Sequence, residues 1–286
     1  MSYRHIDVSP VTGALGAQID PVNLAHDLDG DCMEEIRRAF LEHQVIFFRG
    51  QDLTPERQIA FSHHFGELEL HEYVDGMPGH PEVIAIVKEA GNAGYNFGGR
   101  WHSDVTYQER PALGSVLYGV EVPPYGGDTL FASQYLAYET LSDGMKQMLD
   151  GMKAVHSAAR TYGPEGRAAS TKDGYTKSMS IIPGEKATET MLHPVVRTHP
   201  ETGRKCLFVN GTFTENFEDM TREESAPLLE YLCRHAISEE FTCRFRWESG
   251  SVAFWDNRCV QHYALNDYHG HRREMHRVTI SGDRPV

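Results

Sequence analysis

The apolar residues of this chain come in short, strand-length runs, and this limits the fold more than any other feature. Val45-Ile46-Phe47-Phe48 is a run of four large apolar residues, the pattern of a strand buried on both faces. Similar runs occur at 83–87, 105–108, 113–122, 128–131, 193–199, 206–210, 241–247, 252–255 and 275–280. Few helices interrupt them. Asp31 with Glu34 has the form of a capping box, and Met33, Ile36, Phe40 and Leu41 fall on one face of the helix that follows. Thr54-Pro55 starts a helix that runs to about Phe65 and ends at Gly66. Ser133 and Ser142 are N-caps of two short helices ending near Gly151. Thr221 with Glu224 caps a longer one to about His235. With no repeat and no linker, the pattern predicts one domain over residues 1–286. It is mainly β, a β-sandwich or jelly roll decorated by α-helices. Residues 160–190 break the pattern with Gly163, Pro164, Gly166, Gly174, Pro183 and Gly184. A long non-periodic stretch inside a domain is usually functional or disordered, and an active-site lid is expected here.

Charge narrows the partners. A formal net charge of −14 argues against nucleic acid and against an anionic membrane as partners. An anionic substrate would need a local basic site. No apolar run reaches membrane-spanning length, and the polar first twenty residues carry no signal-peptide pattern. The cysteine count is odd, with no Cys-x-x-Cys, which fits reduced thiols and a cytoplasmic protein.

His102-Ser103-Asp104 follows the glycines Gly91, Gly94, Gly98 and Gly99 and opens a β-compatible segment. On a strand, residues i and i+2 share a face, so His102 and Asp104 would aim an imidazole and a carboxylate at one point. The form alone is weak, because His5-Ile6-Asp7, His80-Pro81-Glu82 and His199-Pro200-Glu201 share it. Two of these hold a proline unsuited to a central strand, and the first lies in the N-terminal segment. His262, directly after an apolar strand, is the natural third ligand. Together the three make a 2-His-1-carboxylate set that suits non-haem Fe(II) and oxygen. The bland alternative is a satisfied core histidine, the default among 16 histidines. Farther on, Arg273, Met275 and Arg277 share one strand face opposite Val278 and Ile280. Two guanidiniums on one inward face are costly unless anions neutralise them, and an arginine fork fits a carboxylate. A solvated basic strand end is the alternative. Three classes remain open on these residues: an iron oxygenase, a hydrolase using the same ligands for zinc, and a non-enzymatic jelly-roll binding protein.

Seven motifs in order run through nearly the whole chain. They are Leu15-Gly16-Ala17-Gln18-Ile19, His43-Gln44-Val45-Ile46-Phe47-Phe48-Arg49 and Trp101-His102-Ser103-Asp104-Val105-Thr106. Gly126-Gly127-Asp128-Thr129-Leu130 and His193-Pro194-Val195-Val196-Arg197-Thr198-His199-Pro200 follow. Trp255-Asp256-Asn257-Arg258 and Met275-His276-Arg277 complete the set. In these the chain resembles the taurine dioxygenase (TauD/TfdA) branch of the Fe(II)/2-oxoglutarate-dependent dioxygenases, which also holds the aryloxyalkanoate dioxygenases.

The resemblance implies a double-stranded β-helix, a cupin-like jelly roll with the metal in its mouth. It makes His102, Asp104 and His262 the Fe(II) ligands. It seats 2-oxoglutarate on the iron, with the far carboxylate held by Arg273 and the Thr129 hydroxyl. It implies O2-dependent hydroxylation of a small anionic organic substrate, with taurine or a related alkylsulfonate the first choice. Succinate and CO2 would form from the cosubstrate, and sulfite and an aldehyde from the substrate. Alkyl sulfate esters or aryloxyalkanoates are the alternative. Arg277, His71 and the backbone N–H of Val105 would bind the acidic group, Tyr107, Tyr162 and Phe213 would wall the pocket, and Tyr73 would contact an amine. The taurine enzyme carries Phe at the positions of Tyr107 and Tyr162. It also has an asparagine near the His-x-Asp where this chain has glycine, with Asn96 nearby. Family members are often dimers or tetramers, so a homo-oligomer is expected.

Overall fold

The structure is a computed structural model, and it describes residues 3–92, 94, 96–170 and 179–286. β1 (Asp7–Pro10) and β2 (Ala17–Asp20) form a hairpin, and α1 (Gly30–His43) leads to β3 (Val45–Phe48), which lies parallel to β2. The cap of α1 corrects the sequence pattern. Asp29, not Asp31, caps the helix: its backbone is extended, and its carboxylate accepts the Cys32 N–H at 2.7 Å. Asp31 already lies in the first turn, where its charge faces the positive end of the helix.

α2 (Pro55–His63) is capped by Thr54 as its sequence predicts. β4 (Leu68–Glu69), β5 (Val83–Lys88), β6 (Gly114–Glu121) and β7 (Thr129–Ser133) follow. Ser133 and Ser142 cap α3 (Gln134–Glu139) and α4 (Asp143–Leu149). After β8 (Lys153–Ser157) come the short α5 (Ala159–Tyr162) and α6 (Arg167–Ser170). The predicted strand at 193–199 divides at Val195 into β9 (Thr190–Pro194) and β10 (Val196–Thr198), because β9 pairs with β8 whereas β10 pairs with β11 (Lys205–Leu207). β12 (Thr214–Phe217) precedes α7 (Arg222–His235), where the Thr221–Glu224 capping box forms as predicted. β13 (Thr242–Phe245), β14 (Val252–Asp256), β15 (Val260–Ala264) and β16 (Arg273–Ile280) complete the described strands.

The main sheet runs β1-β2-β3-β14-β6-β16-β4, with β5 on the free side of β16. The run at β3 serves both of its faces. Ile46 and Phe48 pack with Phe40 of α1 and Phe61 of α2, and Val45 and Phe47 face the other way. On that inner side the three-stranded sheet β13-β7-β15 closes over the main sheet. Phe47 stacks on Phe245 at 4.0 Å between centroids, across the two sheets. Two sheets, antiparallel apart from the β2–β3 pair, face each other around an aromatic core and form the jelly roll, with α1 and α2 on its outer face.

Two further expectations change. The segment 105–108 is a turn and not a strand. Of the stretch 160–190, residues 171–178 lie outside the described residues. Around them the chain forms α5, α6 and a 3-10 turn at Glu185–Thr188. Tyr162, Ala168, Met179 and Ala187 pack into one apolar cluster with Tyr73 and Tyr107, which explains why so glycine-rich a segment has defined structure. The five cysteines are unpaired, and no helix among the described residues is long and apolar enough to cross a membrane.

Candidate active site

His102 forms an isolated bridge with His262 of β15: each backbone N–H donates to the other's carbonyl, at 3.1 and 2.8 Å. Residues far apart in sequence are thereby locked side by side, and their rings stand 4.2 Å apart. Asp104 Oδ1 lies 3.6 Å from His102 Nε2 and 3.8 Å from His262 Nε2. All three side chains are buried, and their donor atoms lie within 4.8 Å of one another.

The strand argument for His102 and Asp104 holds only at the bridge itself. Directly after it the chain turns, and Val105 takes a left-handed φ of +47°. The turn is stable because Asn257 replaces a strand partner. Its Oδ1 accepts the Asp104 N–H at 2.5 Å, and its Nδ2 donates to the Asp104 carbonyl at 2.9 Å and the Ala112 carbonyl at 3.1 Å. Ser115 of β6 donates to Asp104 Oδ2 at 3.0 Å, leaving Oδ1 toward the histidines. Arg277 Nη1 also reaches Oδ1, at 3.2 Å. Burial alone would raise the Asp104 carboxyl. The guanidinium of Arg277 and the two imidazoles outweigh it and hold the group well below the usual carboxylate range.

The ligand set suits a divalent cation such as iron. His102 Nδ1 pairs with the Arg100 carbonyl at 2.7 Å, so it carries the proton and leaves the Nε2 lone pair free. Burial and the neighbouring His102 push His262 down to about 3, so its ring is neutral. Two imidazole nitrogens and one carboxylate oxygen are the donor types of a facial triad.

One cavity of about 240 Å³ opens on this set. Its walls include His71, Val105, Tyr107, Tyr162, Phe213 and Arg277 together with His102 and Asp104. Six of the seven residues that the resemblance ties to the pocket or to anion binding line this cavity beside Asp104. Tyr73 does not: it stacks behind Tyr162, 4.9 Å between centroids, one layer back from the cavity. His71 accepts the Tyr73 N–H at Nδ1, at 3.0 Å, so Nε2 carries its proton. Burial and the charge of Arg277 push His71 down to about 3, keeping it a neutral donor. Tyr107 is buried, and its hydroxyl has no partner among the described residues. Burial raises its phenol well above the ordinary value, so it stays protonated.

Arg273 and Thr129 lie off this cavity, on a small pocket and a strand beside it. Trp247 Nε1 donates to Thr129 Oγ1 at 2.9 Å, which leaves the threonine's own proton to donate elsewhere. Arg273 is buried, and its Nε and Nη2 have no partner among the described residues. Two unpaired buried N–H groups fit an incoming carboxylate. Gly127, at φ +68°, makes room for them: a Cβ there would stand 3.2 Å from Arg273 Nε.

Sequence patterns alone miss Ser115, Asn257, Trp247 and the Arg100 carbonyl. Asn257 sits in the Trp255–Arg258 motif, which was its only signal. Ser115 has none, because its role depends on a strand brought close only by folding. His199, a mere bystander by its His-x-Glu form, proves structural. It bonds Asp256 at 3.0 Å beside Cys259, while Arg258 bonds the same carboxylate at 2.7 and 2.8 Å. Arg258 occupies both oxygens of Asp256 and burial keeps the Cys259 thiol protonated, so this second cluster is a poor metal site.

A sequence profile described as the taurine catabolism dioxygenase TauD, TfdA family matches residues 7–279. The chain belongs to this family. It is 36% identical to an alpha-ketoglutarate-dependent sulfate ester dioxygenase of Pseudomonas putida, over 98% of this chain and 91% of that one. It is 32% identical to an alpha-ketoglutarate-dependent 2,4-dichlorophenoxyacetate dioxygenase of Cupriavidus pinatubonensis, over 97% and 98% of the two chains. Among solved structures it is similar to a taurine dioxygenase from Burkholderia xenovorans, with 39% identity, a TM-score of 0.82, and coverage of 99% and 93%. The jelly roll is thus that of a TauD, TfdA dioxygenase, an enzyme class that depends on 2-oxoglutarate and O2, and the His-Asp-His cluster is its candidate metal site.

Proposed function

We propose that the chain is an Fe(II)- and 2-oxoglutarate-dependent dioxygenase that hydroxylates a small organic sulfur oxyanion, an alkylsulfonate such as taurine or an alkyl sulfate ester. The observation that carries this is the placing of Arg277. One guanidinium lines the same cavity as His102 and Asp104, so an anion held by it puts its neighbouring carbon beside the metal ligands. His102, Asp104 and His262 would hold the iron, and Arg273 with Thr129 the far carboxylate of 2-oxoglutarate. Bound iron would activate O2, the oxidant: one of its oxygen atoms would go into succinate as 2-oxoglutarate loses CO2, and the other into the substrate, where C–H becomes C–OH.

The protein's own residues do the rest. Arg277, the Nε2–H of His71 and the Val105 N–H turned by its left-handed φ offer donors to one oxyanion. Tyr107, Tyr162, Phe213 and Phe97 pack the organic body and exclude water. Hydroxylation at the carbon next to the sulfur group gives a product that collapses to an aldehyde and sulfite, or sulfate from an ester. The sulfate ester reading draws on the Tyr107 hydroxyl, which has no partner among the described residues and would donate to the bridging ester oxygen.

The test is anaerobic. Fe(II) and 2-oxoglutarate added to the metal-free protein should give the weak visible charge-transfer band of the chelate. The band should be lost in His262→Ala, and Arg273→Ala should need more 2-oxoglutarate. Sulfonates and sulfate esters that bind should perturb the band, and sulfite or sulfate release should then name the substrate. Absence of the band in the wild type would overturn the reading and return the zinc hydrolase to consideration.

A further inference from the structure

Lys88 of β5 stands directly opposite Arg273 of β16 in the antiparallel register. Cross-strand partners point to the same face. The next pairs on that face are Ile86 with Met275 and Ile84 with Arg277, and Arg277 reaches the metal ligands, so Lys88 faces inward. Lys88 and Arg273 are both buried, and they line one small pocket together with Asn96, Phe97 and Tyr268.

Neither cation has an ion-pair partner among the described residues. The nearby acids serve other groups: Glu89, Glu121 and Glu274 all bind Arg272, and Asp128 binds Arg244. Lys88 Nζ donates to Asn266 Oδ1 and sits 4.7 Å above the Tyr268 ring, and the Arg273 guanidinium lies 5.8 Å from the same ring. Two desolvated positive charges side by side are costly without an anion. In a chain of net charge −14 this inner pocket is a local excess of positive charge. Burial lowers the pKa of both groups, and at Arg273 Tyr268 and Asp128 offset it only in part.

We infer that Lys88 is a second cationic anchor for the far carboxylate of 2-oxoglutarate, beside the fork of Arg273. This rests on the proposed cosubstrate. Arg273 fixes the plane of the carboxylate through two N–H groups, and Lys88 adds a point charge that a 2-oxoacid without a second carboxylate cannot use. Lys88 is therefore a selectivity residue for the length and charge of the cosubstrate.

The test compares 2-oxoglutarate with 2-oxovalerate, which replaces the far carboxylate by a methyl group. Kd values come from the anaerobic charge-transfer band with Fe(II) and from calorimetry with Mn(II). Lys88→Met should raise the Kd for 2-oxoglutarate by about tenfold or more and leave that for 2-oxovalerate nearly unchanged. Metal affinity without cosubstrate should not move. The ligand-free melting temperature should stay level or rise, because an unpaired buried charge is gone, while the gain on adding 2-oxoglutarate shrinks. A purely structural lysine would instead lower the ligand-free melting temperature and weaken both oxoacids alike, and that outcome overturns the inference. Should Lys88→Met not fold, Lys88→Arg and Lys88→Gln read the same ratio, and equal ratios in the two overturn it. If the wild type binds no 2-oxoglutarate, the proposed function itself fails. If the wild type binds it and the ratio does not change, only the role of Lys88 fails.

Discussion

Asn257 holds the backbone of Asp104 from both sides, accepting its N–H at 2.5 Å and donating to its carbonyl at 2.9 Å. A side-chain amide thus does for a turn what a neighbouring strand does for an extended segment. Asp104 needs this because the chain bends away from the sheet immediately after His102, so no ladder can satisfy its backbone.

Asn257→Ala removes these bonds and the one to Ala112, and leaves two buried groups of Asp104 unpaired. Each such group costs about 1–3 kcal/mol, so the loss of stability should be about 2–6 kcal/mol. Metal affinity should fall as well, because the carboxylate loses its fixed direction. Urea unfolding and a metal titration read the two effects. A variant as stable as the wild type would show that the turn holds itself.

Ser115→Ala separates aim from stability. The hydroxyl donates to Oδ2 of Asp104 and keeps Oδ1 toward the two histidines. Loss of one hydrogen bond should change unfolding free energy by only about 1 kcal/mol. Metal affinity should drop about tenfold, the usual scale for a group that orients a ligand. Unchanged affinity in a competition titration would sink this role.

The sequence made much of the fold legible where a local rule decides the outcome. The run Val45–Phe48, the caps at Thr54, Ser133, Ser142 and Thr221, and the phase of β16 all depend on neighbours a few residues away. The α1 cap was misplaced by two residues because Asp29 and Asp31 are chemically alike and only the backbone conformation separates them. The segment after His102 looked like a strand by alternation, but the amide that bends it lies some 150 residues later in the chain (|i−j| = 153). The candidate ligands could be read because their residue types are rare in combination. Ser115, Trp247 and Lys88 sit in ordinary strands and loops with no motif to mark them, and only the register of distant elements gives them a role.

His156 makes stability depend on pH. It is fully buried, with Nδ1 bonded to Thr106 at 3.0 Å and the His193 ring 5.3 Å away. Burial, and then the neighbouring His193, push it down to about 3. An unfolded histidine titrates near 6.5, so between these values the unfolded chain binds the extra proton. The stability gained from a neutral His156 is therefore fully present above about pH 6.5 and is lost as pH falls toward 3, on the order of 5 kcal/mol in all. His156→Gln keeps a partner for Thr106 without a titrating ring. Its unfolding free energy should fall less steeply between about pH 6 and 4, by about 1.4 kcal/mol per pH unit. Urea titrations at several pH values give the slopes, and equal slopes in the two proteins would refute the assignment.

Gly127 joins backbone conformation to the proposed cosubstrate pocket. Its φ is +68°, and an added Cβ would meet Arg273 Nε and Tyr268 Cδ1 at 3.2 Å. Gly127→Ala should destabilise by about 1–2 kcal/mol from the left-handed backbone alone. It should also push the guanidinium aside and raise the 2-oxoglutarate Kd severalfold, with metal affinity unaffected because the ligands stand on other elements. Gly203→Ala is the matched control. Its φ is +69° and nothing lies within 4 Å of an added Cβ, so it carries the same backbone strain and touches no neighbour. Equal losses of stability with a change in cosubstrate affinity only in Gly127→Ala would tie that affinity to the position of Arg273. A change in both variants would trace it to general loosening of the fold.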